Sequence, residues 1–126
     1  MKRNIHCVIK KKAVFKNELS IEADYTVPGI VTGNTIKLVE PDKTKTTITI
    51  DSKRIIIERS NKQSSRLELC EGETTIYIMK ANFGYSLKLN VYTISYKLLT
   101  DSISVVYQTE ADKDNLEIHT LDINIL

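Results

Sequence analysis

Apolar and polar residues alternate with a period of two along most of this chain, the pattern of a strand that turns one face to a core and the other to water. Leu19, Ile21, Ala23, Tyr25 and Val27 alternate with Ser20, Glu22, Asp24 and Thr26 until Pro28-Gly29 reads as a turn. Upstream, Ile5, Cys7 and Ile9 alternate with His6, Val8 and Lys10 in a first strand that runs on to Phe15 and turns at Lys16-Asn17. Gly33-Asn34 suits a tight hairpin between Ile30-Val31-Thr32 and Ile36-Lys37-Leu38, and Pro41-Asp42-Lys43 is another turn. Short strands follow at Thr46–Ile50, Lys53–Arg59, Arg66–Cys70 and Thr74–Lys80, bounded by Asp51-Ser52 and Glu71-Gly72-Glu73.

In the last third Tyr85, Leu87, Leu89 and Val91 share one face, after which the apolar set moves to Tyr92, Ile94, Tyr96 and Leu98. Such a slip by one residue requires a β-bulge or a sharp bend, the device that curls a sheet toward closure. Ile103, Val105 and Tyr107 form the next strand, and Leu116 and Ile118 followed by Leu121, Ile123 and Ile125 predict a second slip near His119-Thr120. Nine or ten segments with short connections leave no room for crossover helices. The expectation is one all-β domain over residues 1–126, an antiparallel meander closing into an eight- to ten-stranded barrel.

Composition agrees: Ile, Val and Thr make up 38 of the 126 residues, whereas Ala occurs only four times. No run approaches the roughly 20 apolar residues of a membrane-spanning helix, and Met1-Lys2-Arg3 leads into alternating residues rather than a signal peptide's apolar run. A cytoplasmic protein without membrane contact is expected. Cys7 and Cys70 lie far apart without metal-like spacing and read as free thiols, so no metal and no cofactor is expected.

The order Arg59-Ser60-Asn61, then Gly72, then Phe83-Gly84 opening a strand that contains Thr93, resembles the YwiB-like family of small bacterial proteins of unassigned function. The resemblance spans nearly the whole chain and implies a calycin or lipocalin-like barrel, and its pattern singles out Arg59 and Gly84. It departs at Asn61, where the family tends to have Gly, at Met79, where a Tyr is expected, and at Thr93, which falls one residue late. No catalytic residue carries over.

Chemistry-bearing residues are sparse. His6 and His119 both read as ordinary strand histidines, neighbours only if the first and last strands pair. Glu22, Asp24, Asp112 and Asp114 read as outward-looking, and the four glycines are turn-like, which excludes a phosphate-binding loop. Arg59 stands out because alternation from Ile55 and Ile57 places it inward, where a guanidinium needs a carboxylate, carbonyl groups or an anionic ligand head. The same parity places Lys80 inward after Ile76 and Ile78, and Tyr25, Tyr85 and Tyr107 in the apolar sets of their strands.

Charge is uneven: residues 1–66 hold 14 Lys and Arg against 7 acids, residues 67–126 hold 4 against 9. Cross-strand pairing between the halves neutralises such a difference. Lys10-Lys11-Lys12, without interleaved aromatics, reads as a guarded edge strand rather than a nucleic-acid surface. The functional expectation is a non-enzymatic binding module for a small amphipathic or anionic ligand, held by Arg59, Tyr25, Lys80, Tyr85 and Tyr107. The alternative is an interaction module or homodimer using a strand edge or the patch around Tyr92, Ile94, Tyr96 and Leu98.

Overall fold

Ten β-strands, each hydrogen-bonded to the next in antiparallel fashion, form a closed barrel in a computed structural model that describes residues 1–14, 18–81, 84–110 and 116–126. The positions expected for the Lys16-Asn17 turn, Phe15, Phe83, Asp112 and Asp114 lie outside the described residues. The strands are β1 (Lys2–Ala13), β2 (Glu18–Thr32), β3 (Thr35–Val39), β4 (Lys45–Ile50) and β5 (Arg54–Ser60). They continue as β6 (Gln63–Cys70), β7 (Thr74–Ala81), β8 (Ser86–Leu98), β9 (Ser102–Glu110) and β10 (Leu116–Ile125). Closure comes from β1 pairing with β10 across Ile5 to Ala13 and Glu117 to Ile125. No helix among the described residues is long and apolar enough to cross a membrane.

Aliphatic side chains, most of them β-branched, fill one end of the barrel. Ile5, Ile36, Ile48, Ile55, Leu69, Val91, Val105, Leu121 and Ile123 are withdrawn from water and come from eight of the ten strands. Each such side chain contributes about 2 kcal/mol from burial alone, so this floor carries the fold. Tyr96 seals it from β8, its hydroxyl within reach of the Asp51 carbonyl at 2.6 Å and the Arg54 carbonyl at 2.9 Å in the β4–β5 turn. Burial pushes the Tyr96 phenol up to about 12, so it stays a donor.

Local geometry corrects several expectations. Pro28-Gly29 does not end a strand: β2 runs through it, because pairing with β3 begins only at Gly29 and Pro28 therefore needs no partner there. The hairpin turn is at Gly33-Asn34, where Gly33 adopts φ 60°, as a turn with glycine at its first position requires. Opposite Ile9 and Lys10 of β1 stand Ala23 and Ile21, which leaves Glu22 as an extra residue in a β-bulge. The bulge reverses the parity of everything before it, so Leu19 and Ile21 are exposed instead of inward.

In β8 the expected slip is real, but the extra residue is Ile94, between the Thr93–Tyr107 and Ser95–Val106 pairs. Tyr96 accordingly turns inward while Tyr92, Ile94 and Leu98 are each 44% exposed. The second slip does not occur, since β10 keeps one register against both neighbours. His119 belongs to the inward set with Leu121 and Ile123, and Leu116 and Ile118 lie on the other parity. Because β1 pairs on both sides, it is no edge: Lys10 and Lys12 are solvated outer-face residues, whereas Lys11 pairs with Glu117 at 3.3 Å. That pair, with Arg54–Glu68 at 3.2 Å, joins the basic and acidic halves of the chain.

Gly29 sits where β2 passes closest to the floor. A Cβ there would come 2.8 Å from Ile5 Cγ1, and Ile5 is fully buried. Gly29→Ala is therefore expected to destabilise the barrel by about 1–3 kcal/mol through overpacking, read as a lower urea midpoint at unchanged slope; an unaltered midpoint would show that the floor yields freely.

Candidate functional site

The other end of the barrel interior is polar, and its construction begins in the β3–β4 loop. Alternation through Ile36 and Leu38 continues one step beyond β3 to Glu40, which is only 8% exposed although it precedes a turn. The loop closes on itself: Glu40 N donates to the Thr44 carbonyl and Lys43 N to the Glu40 carbonyl, both at 2.8 Å, while Thr44 N donates to Asp42 Oδ1 at 3.0 Å. Asn61, from the β5–β6 turn, donates to Thr44 Oγ1 at 3.3 Å. This framework aims the Glu40 carboxylate into the mouth.

Arg59 meets it there. Its Nε donates to Glu40 Oε2 at 2.7 Å and its Nη2 to Oε1 at 2.8 Å, a two-point pair, and Thr46 Oγ1 donates to Oε2 at 2.5 Å. Burial works against the Arg59 charge, but the hydrogen bonds and charge of Glu40 outweigh it and hold the guanidinium above its ordinary value. The inward parity of Arg59 thus has its physical complement in a carboxylate of the same chain. One edge of the guanidinium is committed, and Nη1 remains for another acceptor.

Across the mouth, the β2 bulge turns Glu22 toward His119. His119 is 7% exposed; its Nδ1 bonds to Glu22 Oε1 and its Nε2 lies 2.8 Å from Thr109 Oγ1. Its ring stacks on Tyr107 with centroids 4.7 Å apart and planes 3° from parallel. The hydrogen bond from His119 lowers the Glu22 carboxyl below its ordinary 4.5 despite partial burial. Against the expectations of an outward Glu22 and an ordinary strand histidine at 119, the unpredicted bulge lets the partly exposed Glu22 reach the imidazole, and the unbroken register of β10 buries His119. His6 points away on the outer face, pairing with Asp24 at 3.0 Å, so the two histidines do not meet even though their strands pair.

Between these clusters lies a cavity of about 320 Å³, with a floor of Ile57, Leu67, Leu89 and Leu121 and a rim that includes Arg59, Tyr77, Tyr107 and His119. Tyr107 lines it directly, its phenol raised chiefly by burial and then by the Glu22 charge, so it remains protonated. Tyr25 is inward as expected but lies behind the cavity, opposite Cys7 in the β1–β2 register. Burial raises both groups, Cys7 to about 11 and Tyr25 further, which makes Cys7 an unreactive thiol. Lys80 is a correction: it is exposed on the outer parity with Ile76, because the inward set of β7 is Tyr77 and Met79. Tyr85 is another, 68% exposed and ahead of the start of β8. Glu40, Tyr77 and Thr109 were missed, although parity extended from Leu38 and from Val105 and Tyr107 reaches Glu40 and Thr109.

Fold and interior together define a closed, ten-stranded meander barrel with a packed floor and a polar mouth over a small cavity. No family model matches the sequence, and no curated protein matches it. Among solved structures, the YwiB protein from Bacillus subtilis is similar over 99% of this chain and 93% of its own, with a TM-score of 0.70 and 19% identity. The two chains share a YwiB-like fold.

Two predictions follow from the charge pairs. Arg59→Met strands the buried Glu40 carboxylate and is expected to cost about 3 kcal/mol, whereas Arg59→Met with Glu40→Leu recovers most of it; equal losses in single and double variants would show that the pair is not what supports the mouth. For Glu22, the lowered folded value means that its contribution is complete above 4.5 and is lost as pH falls through that folded value. The stability gap between wild type and Glu22→Gln should hold steady at neutral pH and close below pH 4.5, as measured by urea unfolding across pH.

Proposed function

We propose that this protein is a YwiB-like barrel of the calycin kind that binds a small, partly apolar molecule in its mouth, with Arg59 as the orienting group. The observation that carries this reading is the placement of Arg59: fixed along one edge by Glu40, it lines a cavity whose floor is aliphatic. A rigid donor beside an apolar floor is the usual composition of a small-molecule site, and 320 Å³ lies at the small end of the range of about 300–1,000 Å³. Because Glu40 balances the Arg59 charge and Glu117 balances Lys11, the mouth favours a head that accepts hydrogen bonds, such as a carboxylate or a carbonyl, over a multiply charged anion. Protonated Tyr107 adds a ring face that suits a flat ligand. A cytoplasmic location fits such a role.

A second reading, self-association, draws on the outer strip of Tyr92, Ile94 and Leu98 beside exposed Leu99. The β2 segment Glu18–Pro28, paired with β1 but not with β3, adds an open strand edge with exposed Leu19 and Ile21 to this reading.

Native mass spectrometry of gently purified protein separates them. The binding reading expects a reproducible adduct of small mass on a monomer, lost in an Arg59→Met/Glu40→Leu double variant checked to be folded by its circular dichroism, and retained in Ile94→Asp. A bare wild-type chain, or an adduct indifferent to the double variant, overturns the binding reading; a dimer dissociated by Ile94→Asp supports the second.

A further inference from the structure

Thr109, His119 and Glu22 stand in the order hydroxyl, imidazole, carboxylate, on β9, β10 and the β2 bulge. With its carboxyl held below the ordinary 4.5, Glu22 is ionised at neutral pH and can only accept. An imidazole that carries one proton must then hold it on Nδ1, facing Glu22, which leaves Nε2 to accept from the Thr109 hydroxyl across 2.8 Å. Stacking on Tyr107 and burial to 7% exposure fix the ring in that pose. Thr109 and His119 both line the cavity, and so does Arg59, a cation that can answer negative charge developing on a bound carbonyl oxygen. A nucleophile, a base that reaches it and a group that orients the base, beside a cation, are the parts acyl transfer needs.

We propose that Thr109 is an acyl-accepting nucleophile toward small activated esters or thioesters seated in the cavity, a role that rests on reading the cavity as a binding site. Thr109 Oγ1 attacks the acyl carbon as its proton passes to His119 Nε2, and the carbonyl π pair moves onto oxygen. Collapse of that adduct expels the alkoxide or thiolate, which takes the proton from His119 and leaves the acyl group on Thr109. Water then adds to the acyl-threonine in the same way, with His119 taking its proton and returning it to Oγ1. The balance is ester or thioester plus water to acid plus alcohol or thiol, with no redox change. Glu22 is a positioning residue, stabilising the imidazolium that forms in each half.

The test uses p-nitrophenyl acetate, with nitrophenolate release followed alongside peptide mapping of the acetylated protein. The expected result is a single acetyl group on the peptide that carries Thr109, kept in Thr109→Ser, absent in Thr109→Ala, and formed at least about 100-fold more slowly in His119→Gln. Glu22→Gln should lower kcat by roughly tenfold or more while KM holds, a split that loss of packing alone does not produce. Acetylation spread over lysines, at the same rate in Thr109→Ala as in wild type, overturns the relay. A native adduct in the cavity without acetyl-Thr109 sinks the relay alone, whereas acetyl-Thr109 in a chain that never carries a resident ligand sinks only the reading of the barrel as a ligand carrier.

Discussion

Everything in this molecule follows from the pairing of β1 with β10, the contact that turns a meander into a closed surface. Once closed, a sheet has an inside that must be filled and an outside that must be wetted, and each residue's parity decides which side it meets. The aliphatic floor satisfies that demand with dispersion and burial. At the mouth the same inward parity delivers charges and phenols instead, and the charged and imidazole groups find partners: Arg59 with Glu40, His119 with Glu22 and Thr109, Lys11 with Glu117. An unpaired charge here is costly, which is why the mouth is built of complementary sets drawn from strands distant in sequence, although the Thr93 hydroxyl in the interior stays without a partner.

The strands were legible because alternation of β-branched and polar residues is a direct record of one dry face. Strand order and closure followed from short connections and the bulged β8. Register was less legible wherever that record is ambiguous. Strand β7 carries apolar residues on both parities, Ile76 and Ile78 against Tyr77 and Met79, so alternation had no means of ranking them and placed Lys80 on the wrong side. In β2 the alternation was unbroken, yet a bulge at Glu22 inverted half of it. Pairing decides a bulge, and the partner residues Ile9 and Lys10 lie on another strand. The candidate site was half visible for the same reason: Arg59 by parity along its own strand, Glu22 and His119 only through a contact that spans nearly the length of the chain.

The electrostatics of the mouth also differ from what Arg59 alone suggested. An unpaired guanidinium in a barrel would select anions by charge; a guanidinium held by Glu40 along one edge selects by the direction of its remaining N–H groups. Selectivity then resides in geometry, which the β3–β4 loop sets through its own hydrogen bonds.

Closure by strands from opposite ends of the sequence also orders events in time. As the chain is made, β1 has β2 beside it early, but its other side stays open until β10 has been synthesised. During that interval β1 is an edge strand with apolar Ile5, Cys7 and Ile9 beside bare backbone donors and acceptors on one side, the kind of segment that recruits neighbouring chains. Lys10 and Lys12, which guard no edge in the finished barrel, lie on that strand. Their charge repels a second copy for the length of time the edge exists, and the last strand then makes them ordinary surface residues.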